Sequence, residues 1–247
     1  MVRISSGSYE LNQWLHGGYE TDVISVIYGP AGSGKTNFCL LAAVSQAKKG
    51  KHVIYVDSEG GFSSERVKQI AGEQTEQALK HLFLLSPTTF AEQKEAFEQL
   101  LKHVQRKQDV SFIIVDGITM LYRLDAAAAR SLEKESVEER EGNMKETRKR
   151  NASWQEVNAE LVQQLRTLAE LARKRNIPVL VTNQTYRWGE EERMVAGDIL
   201  RYWGKCQIEL TQEGGKRVAH LRKHRSLPES SLPFQIVNEG IRKRRWW

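Results

Sequence analysis

The sequence predicts an α/β fold: a mostly parallel central sheet flanked by helices, with antiparallel strands added toward the C-terminus. Three observations carry that reading. Apolar runs of strand length alternate with longer stretches of helical composition, the pattern of successive βαβ units. The first apolar run, residues 23–28, leads straight into a glycine-rich turn and a run of helix formers. In the last third the alternation changes to period two around a Gly-Gly turn, which marks a hairpin.

Taken in order, residues 23–28 read as a buried strand and residues 36–49 as a helix that stops at Gly50. Residues 52–57 form the next strand. Residues 64–80 read as a helix, and 81–85 as a strand ended by Ser86-Pro87. Residues 90–107 are amphipathic, with Phe90, Phe97, Leu100, Leu101 and Val104 on one side. Residues 110–115 form an apolar strand that ends at Asp116; 154–175 is a helix and 178–182 a strand. Residues 207–211 and 218–221 make the hairpin, and 234–237 add a strand. One stretch fits no compact core: residues 125–151 open on an alanine run and then hold seven acids and seven bases. They predict a mobile, partly helical surface loop inserted into a single domain of residues 1–240, followed by a basic aromatic tail, 241–247.

The chain has 247 residues, 40% hydrophobic and 28% charged, an ordinary composition for a globular domain. Its longest apolar runs are too short to span a membrane. Two cysteines, Cys39 and Cys206, are too few for a disulfide framework, so a reducing cytoplasm is the expected location. The net charge is +6, and Arg242, Lys243, Arg244 and Arg245 supply four of those charges. A second cluster holds Lys216, Arg217, Arg222, Lys223 and Arg225, interleaved with His220 and His224. Such clusters point to a polyanion partner or, equally, to solvated surface charge. Trp246 and Trp247 either stack on a partner or fray.

Gly29-Pro30-Ala31-Gly32-Ser33-Gly34-Lys35-Thr36 is a complete P-loop, between a strand and a helix that continues from Asn37. The glycines let backbone N–H groups converge on phosphate oxygens. Lys35 reaches the β- and γ-phosphates, and the Thr36 hydroxyl ligates Mg²⁺. Asp116, at the carboxyl end of its strand, is placed to hold Mg²⁺ through water. Glu59 follows the strand 53–56, where a carboxylate can orient and deprotonate the water that attacks the γ-phosphate. Gln184 follows 179–182 and can sense that phosphate.

These four strand ends together resemble the RecA recombinase core, in particular its archaeal and eukaryotic branch. Ser6-Gly7-Ser8 with Leu15-His16-Gly17-Gly18 resembles the opening of that core, and Tyr55-Val56-Asp57-Ser58-Glu59-Gly60 its catalytic-glutamate segment. Leu121-Tyr122-Arg123 and Thr182-Asn183-Gln184 are similar to two further family segments. About twenty residues precede the first strand, as in the short paralogues of the branch, which lack its N-terminal helical domain. The resemblance implies a RecA-like P-loop core that takes ATP and Mg²⁺. It implies a first DNA-binding loop at residues 123–154 and a second at 186–197, where Arg187 would meet phosphate. Recombinases carry an aspartate before a proline in the segment covering the neighbouring subunit's ATP. Here that stretch reads Arg222-Lys223-His224-Arg225-Ser226-Leu227-Pro228. A Lys223-His224-Arg225 cluster at this place is, in the short paralogues, associated with DNA binding.

The reading that follows is an accessory protein of homologous recombination and repair with weak, DNA-dependent ATPase activity. Its expected partners are DNA, single-stranded favoured and with little sequence preference, a RadA-type recombinase and a Holliday-junction nuclease, with no membrane involved. The alternatives are a filament-forming strand-exchange recombinase and a KaiC-like regulatory ATPase without DNA.

Overall fold

In a computed structural model, residues 2–138, 144–188, 191–213 and 215–244 are described, with side chains at all of these except 130, 132–138, 144–153, 187, 188, 191 and 213. The chain opens with β1 (Arg3–Ile4), α1 (Tyr9–Trp14) and β2 (Tyr19–Glu20). The βα units follow: β3 (Ile24–Gly29), α2 (Lys35–Ala47), β4 (His52–Asp57), α3 (Ser64–Ala71), α4 (Thr75–Lys80) and β5 (Leu82–Leu85). Next come α5 (Phe90–Arg106), β6 (Val110–Asp116), α6 (Met120–Glu138), α7 (Met144–Arg175) and β7 (Val179–Trp188). The chain continues through β8 (Glu191–Met194), α8 (Gly197–Trp203), β9 (Gly204–Glu213), β10 (Lys216–Lys223), β11 (Ser230–Val237) and β12 (Gly240–Lys243).

The main sheet runs β12-β11-β10-β9-β3-β7-β6-β4-β5, with β8 paired to β7, ten strands in all. From β5 to β9 every pairing is parallel; from β9 to β12 every pairing is antiparallel. The central strands are buried on both faces. Val53 and Tyr55 point into the core against α1–α4, while Ile54 and Val56 point into the one against α5–α8. That two-sided burial is why these strands read as continuous apolar runs. The stripe Leu161, Leu165, Leu168 and Ala172 of α7 is buried at helical spacing on the second face. In α5, Phe90, Phe97, Leu100 and Val104 are buried, whereas Leu101 lies at the margin, half-buried. Thr89 caps this helix by accepting from Glu92 N–H at 3.1 Å, and Glu92 accepts in return from Thr88 N–H at 2.7 Å.

Three expectations change. The stretch 125–151, expected as a partly helical loop, lies on α6 and α7 on either side of residues 139–143, which are outside the described residues. Alanines are strong helix formers, and Ala126 and Ala129 are buried, so the run extends α6 from the core. The second loop, expected over 186–197, is largely a β7–β8 hairpin with Tyr186 opposite Arg193. The basic stretch expected as a tail from 241 enters the sheet: Ile241 is buried opposite Ile236, and Arg242 and Lys243 lie exposed on the edge strand. Charged side chains on an edge discourage pairing with another sheet. Arg245, Trp246 and Trp247 lie outside the described residues.

Candidate nucleotide site and basic surfaces

Parallel pairing aligns the carboxyl ends of four strands. Gly29 of β3 is in register with Gln184 of β7, and Asp57 of β4 with Asp116 of β6. Ligands of open α/β sheets bind at this edge. The P-loop leaves β3 here. Gly29 has no room for a side chain, because a Cβ would lie 2.2 Å from the Leu210 carbonyl oxygen of β9. Gly34 starts α2 at φ 110°, in the left-handed region, and no side chain caps the helix. Its first N–H groups are therefore open to an anion. Ser33 Oγ is buried with no partner among the described residues. An uncapped helix start with an orphaned hydroxyl inside the loop fits a phosphate.

Lys35 is 4% exposed, and its Nζ donates to the carbonyls of Gly29 and Pro30 at 3.1 and 3.0 Å. Burial pushes its pKa down, while the carboxylates of Glu59 and Asp116 pull it back up. Arg217 of β10 donates to the Gly32 carbonyl at 3.4 Å, which brings a second cation to the loop. In the sequence Arg217 belongs to the distal basic cluster; only the β9–β10 register brings it here. The Asn37 amide oxygen accepts from Arg66 Nε at 2.8 Å. Arg66 also donates to the carbonyls of Val237 and Asn238, so it ties α2 to the β11–β12 turn.

Asp116 is fully buried and accepts from Thr182 Oγ1 at 2.6 Å and from Tyr55 Oη at 2.8 Å, with the Thr36 hydroxyl nearby. Burial raises its pKa against these three hydroxyls. Thr36 and Asp116, the two candidate Mg²⁺ residues, are thus neighbours. Among the described residues no group of three or more His, Cys, Asp or Glu could hold a metal ion. Mg²⁺ suits such a sparse set, since it is commonly held by one or two carboxylates together with substrate phosphates.

Glu59 sits on a turn built by Asp57, whose carboxylate accepts from the N–H groups of Gly60, Gly61 and Phe62 at 2.9, 3.1 and 2.9 Å. Glu59 Oε1 accepts from Gln184 Nε2 at 2.5 Å, and its Oε2 is buried without a partner among the described residues. Two candidates 125 residues apart are brought together. Gly117, at φ 83°, keeps the β6 end clear of this turn, since a Cβ there would lie 3.0 Å from Glu59 Cβ. Gln184 O accepts from Val195 N–H at 3.3 Å, and Asn183 Nδ2 donates to Val195 O at 2.8 Å. The strand end that holds Glu59 is therefore bonded to the residue just past the β7–β8 hairpin.

Among the described residues, the candidate DNA residues do not form one patch of unpaired cations. Arg225 donates to Glu20 Oε2 at 2.6 Å and to both Asp22 oxygens, one at 2.8 Å. The His224 ring is buried with Nε2 3.8 Å from Glu20 Oε1, and its Nδ1 accepts from the N–H groups of Ser226 and Leu227 at 3.1 Å each. Burial lowers the His224 pKa against the pull of Glu20. Lys223 instead donates to the carbonyls of Arg201 and Gly204 at 2.9 and 3.0 Å. The Arg187 side chain lies outside the described residues, and Arg242 faces Glu239 at 3.5 Å.

The Arg225 pair has a pH signature. Its hydrogen bonds hold the Asp22 carboxyl below the usual carboxylate range. A depressed carboxylate stabilises the fold above its unfolded pKa, and the gain is lost as pH falls through the lowered folded value. Asp22→Asn should therefore melt below the parent protein at neutral pH, and the difference should close below about pH 4. Thermal melts of both proteins across that range check this; a difference independent of pH would contradict it.

The family model described as Rad51 matches residues 1–244. The "DNA repair and recombination protein RadB" of Methanobrevibacter smithii is 36% identical over 240 residues, covering 94% of this chain and 92% of the relative. The protein of the same name from Methanocaldococcus jannaschii is 34% identical, covering 94% and 98%. The crystal structure of the RadB recombinase superposes with a TM-score of 0.73 at 35% identity, covering 96% of this chain and 98% of that one.

Proposed function

This chain belongs to the Rad51 family, and from that premise we propose that it is an ATP- and DNA-binding accessory protein of homologous recombination and DNA repair with slow ATP hydrolysis. Nucleotide binding with Mg²⁺ is general in the family; the finer assignments are ours. ATP lies along Gly29–Thr36, with Lys35 on its β- and γ-phosphates and Arg217 at the loop's outer side. Mg²⁺, when bound, neutralises phosphate charge, and Thr36 and Asp116 are the residues that would hold it. Glu59, oriented by Gln184, takes the proton of the attacking water, and the water oxygen displaces ADP from the γ-phosphorus.

One observation carries the accessory reading over the filament-forming one. The segment where recombinases supply an acid to the neighbouring subunit's nucleotide here holds Lys223, His224 and Arg225. Two of these are bonded inward, to Glu20 and Asp22. The stretch before Pro228 holds no acid to offer a neighbouring subunit, so hydrolysis depends on the chain's own residues. The DNA partner follows from the recombination role of the relatives and from the cations left exposed: Lys223, Lys243 and Arg244.

The test measures ATP turnover and binding to labelled single-stranded DNA over a salt series, with and without a RadA-type recombinase. Similar affinity for strands of different sequence is expected, and log K should fall linearly with log salt by roughly 0.7 per phosphate contact. Turnover should be low for the protein by itself. Binding of ATP without DNA at any salt would favour the regulatory-ATPase reading. Regular helical filaments and strand exchange by the pure protein would favour the recombinase reading.

A further inference from the structure

The carboxyl end of α8 carries an aromatic ring that the fold does not use. Tyr202 is 70% exposed, yet it is held in place: its ring packs edge-on against Trp203, with centroids 5.4 Å apart at 88°. Lys205 Nζ sits 5.6 Å from the Tyr202 ring centroid and donates to the Tyr202 carbonyl at 3.1 Å. The register of β10 against β9 shifts between Leu221 and Lys223. Such a bulge re-aims the side chain that follows it, and Lys223 crosses to the carbonyls of Arg201 and Gly204, on either side of Tyr202. Arg201 is exposed beside them. Burial lowers the Lys223 pKa and the Lys205 ammonium lowers it further, so the two positive charges lie close together. Of the nearby acids, Glu209 is taken by Arg222 at 2.7 Å, and Asp198 lies one turn back on α8.

Lysines at a helix carboxyl end are accounted for by the carbonyls they meet. An exposed aromatic in their midst is not. We propose that the Tyr202 ring, framed by Arg201, Lys205 and Lys223, is a stacking platform for a base of single-stranded nucleic acid. The inference rests on the DNA-binding reading above and assigns it a surface. Three cations match a phosphodiester backbone, and the exposed ring, with Lys205 over it, offers a π-surface to an unstacked base. A duplex keeps its bases stacked inside and cannot use such a face. Stacking is indifferent to base identity, because every base has a π-face. The platform also continues the chain from the β7–β8 hairpin, since α8 starts at Gly197, where that segment ends.

The test compares the full-length parent chain, Tyr202→Ala and Tyr202→Phe by fluorescence anisotropy, on labelled oligothymidylate and on an abasic strand of equal length. Removing a stacking ring should weaken oligothymidylate binding about 5- to 100-fold. Tyr202→Phe keeps the ring and should bind as the parent does. On the abasic strand all three should be alike. Parent-like oligothymidylate binding by Tyr202→Ala would overturn the platform and leave the DNA-binding reading standing. An equal loss on both strands would also overturn it, by showing that the ring acts on the fold or the charge and not on a base. If the parent chain binds neither strand, the DNA-binding reading fails, and this inference with it.

Discussion

Lys35→Ala should bind nucleoside triphosphate more weakly by about 2–4 kcal/mol, roughly 30- to 1,000-fold. Lys35 Nζ rests on two P-loop carbonyls in a nearly solvent-free position, so its charge is little screened. The same position faces Glu59 and Asp116. Removing the ammonium therefore does two things: it deletes a charge-assisted contact to phosphate, and it leaves two carboxylates facing the incoming anion uncompensated. Lys35→Met keeps most of the side-chain volume and separates that loss of charge from a cavity. Calorimetric titration with a non-hydrolysable ATP analogue measures the effect. Circular dichroism and melting confirm that each variant is folded. The loss should shrink for the diphosphate and vanish for adenosine, which does not reach the lysine. A folded Lys35→Ala protein with unchanged triphosphate affinity would remove this loop from the site.

The candidate nucleotide site was legible because its parts sit where local patterns are strong. The run before Gly29 is apolar on both faces of the sheet, the P-loop is a contiguous motif, and Asp116 ends an apolar strand. What could not be read was the pairing between segments. The Asp116 partners Tyr55 and Thr182 look like ordinary strand residues, and only the order β7-β6-β4 makes them neighbours. Asp57 reads as one more acid in a turn until three N–H groups converge on it. Arg225 shows the opposite failure. In sequence it is one cation in a basic run, but β2 and the residues just after it, more than two hundred positions earlier, bring Glu20 and Asp22 to it. Composition reports charge and cannot report which charges are already paired. The 125–151 stretch, expected as a partly helical loop, is helix over most of its described residues, as the propensity of its alanines favours.

Glu59→Gln should bind ATP as the parent does while turnover falls by about 10²-fold or more. The geometry makes this substitution sharper than a simple loss of charge. Gln184 Nε2 already donates to Glu59 Oε1, so a glutamine at 59 must turn its carbonyl oxygen toward Gln184 to avoid opposing two donors. Its amide nitrogen then takes the place of Oε2, the oxygen that is buried and has no partner among the described residues. A water there would meet a donor where it had met a base, so proton removal is lost with the shape preserved. Gln184→Ala keeps the carboxylate and frees it from its holder; turnover should fall less, by about tenfold, on the scale of misplacing a general base without deleting it. Phosphate release, measured with and without single-stranded DNA at saturating ATP, reads both variants against the parent. If Glu59→Gln turns over at the parental rate, the attacking water is deprotonated elsewhere, and Gln184 loses its role as the residue that orients the base.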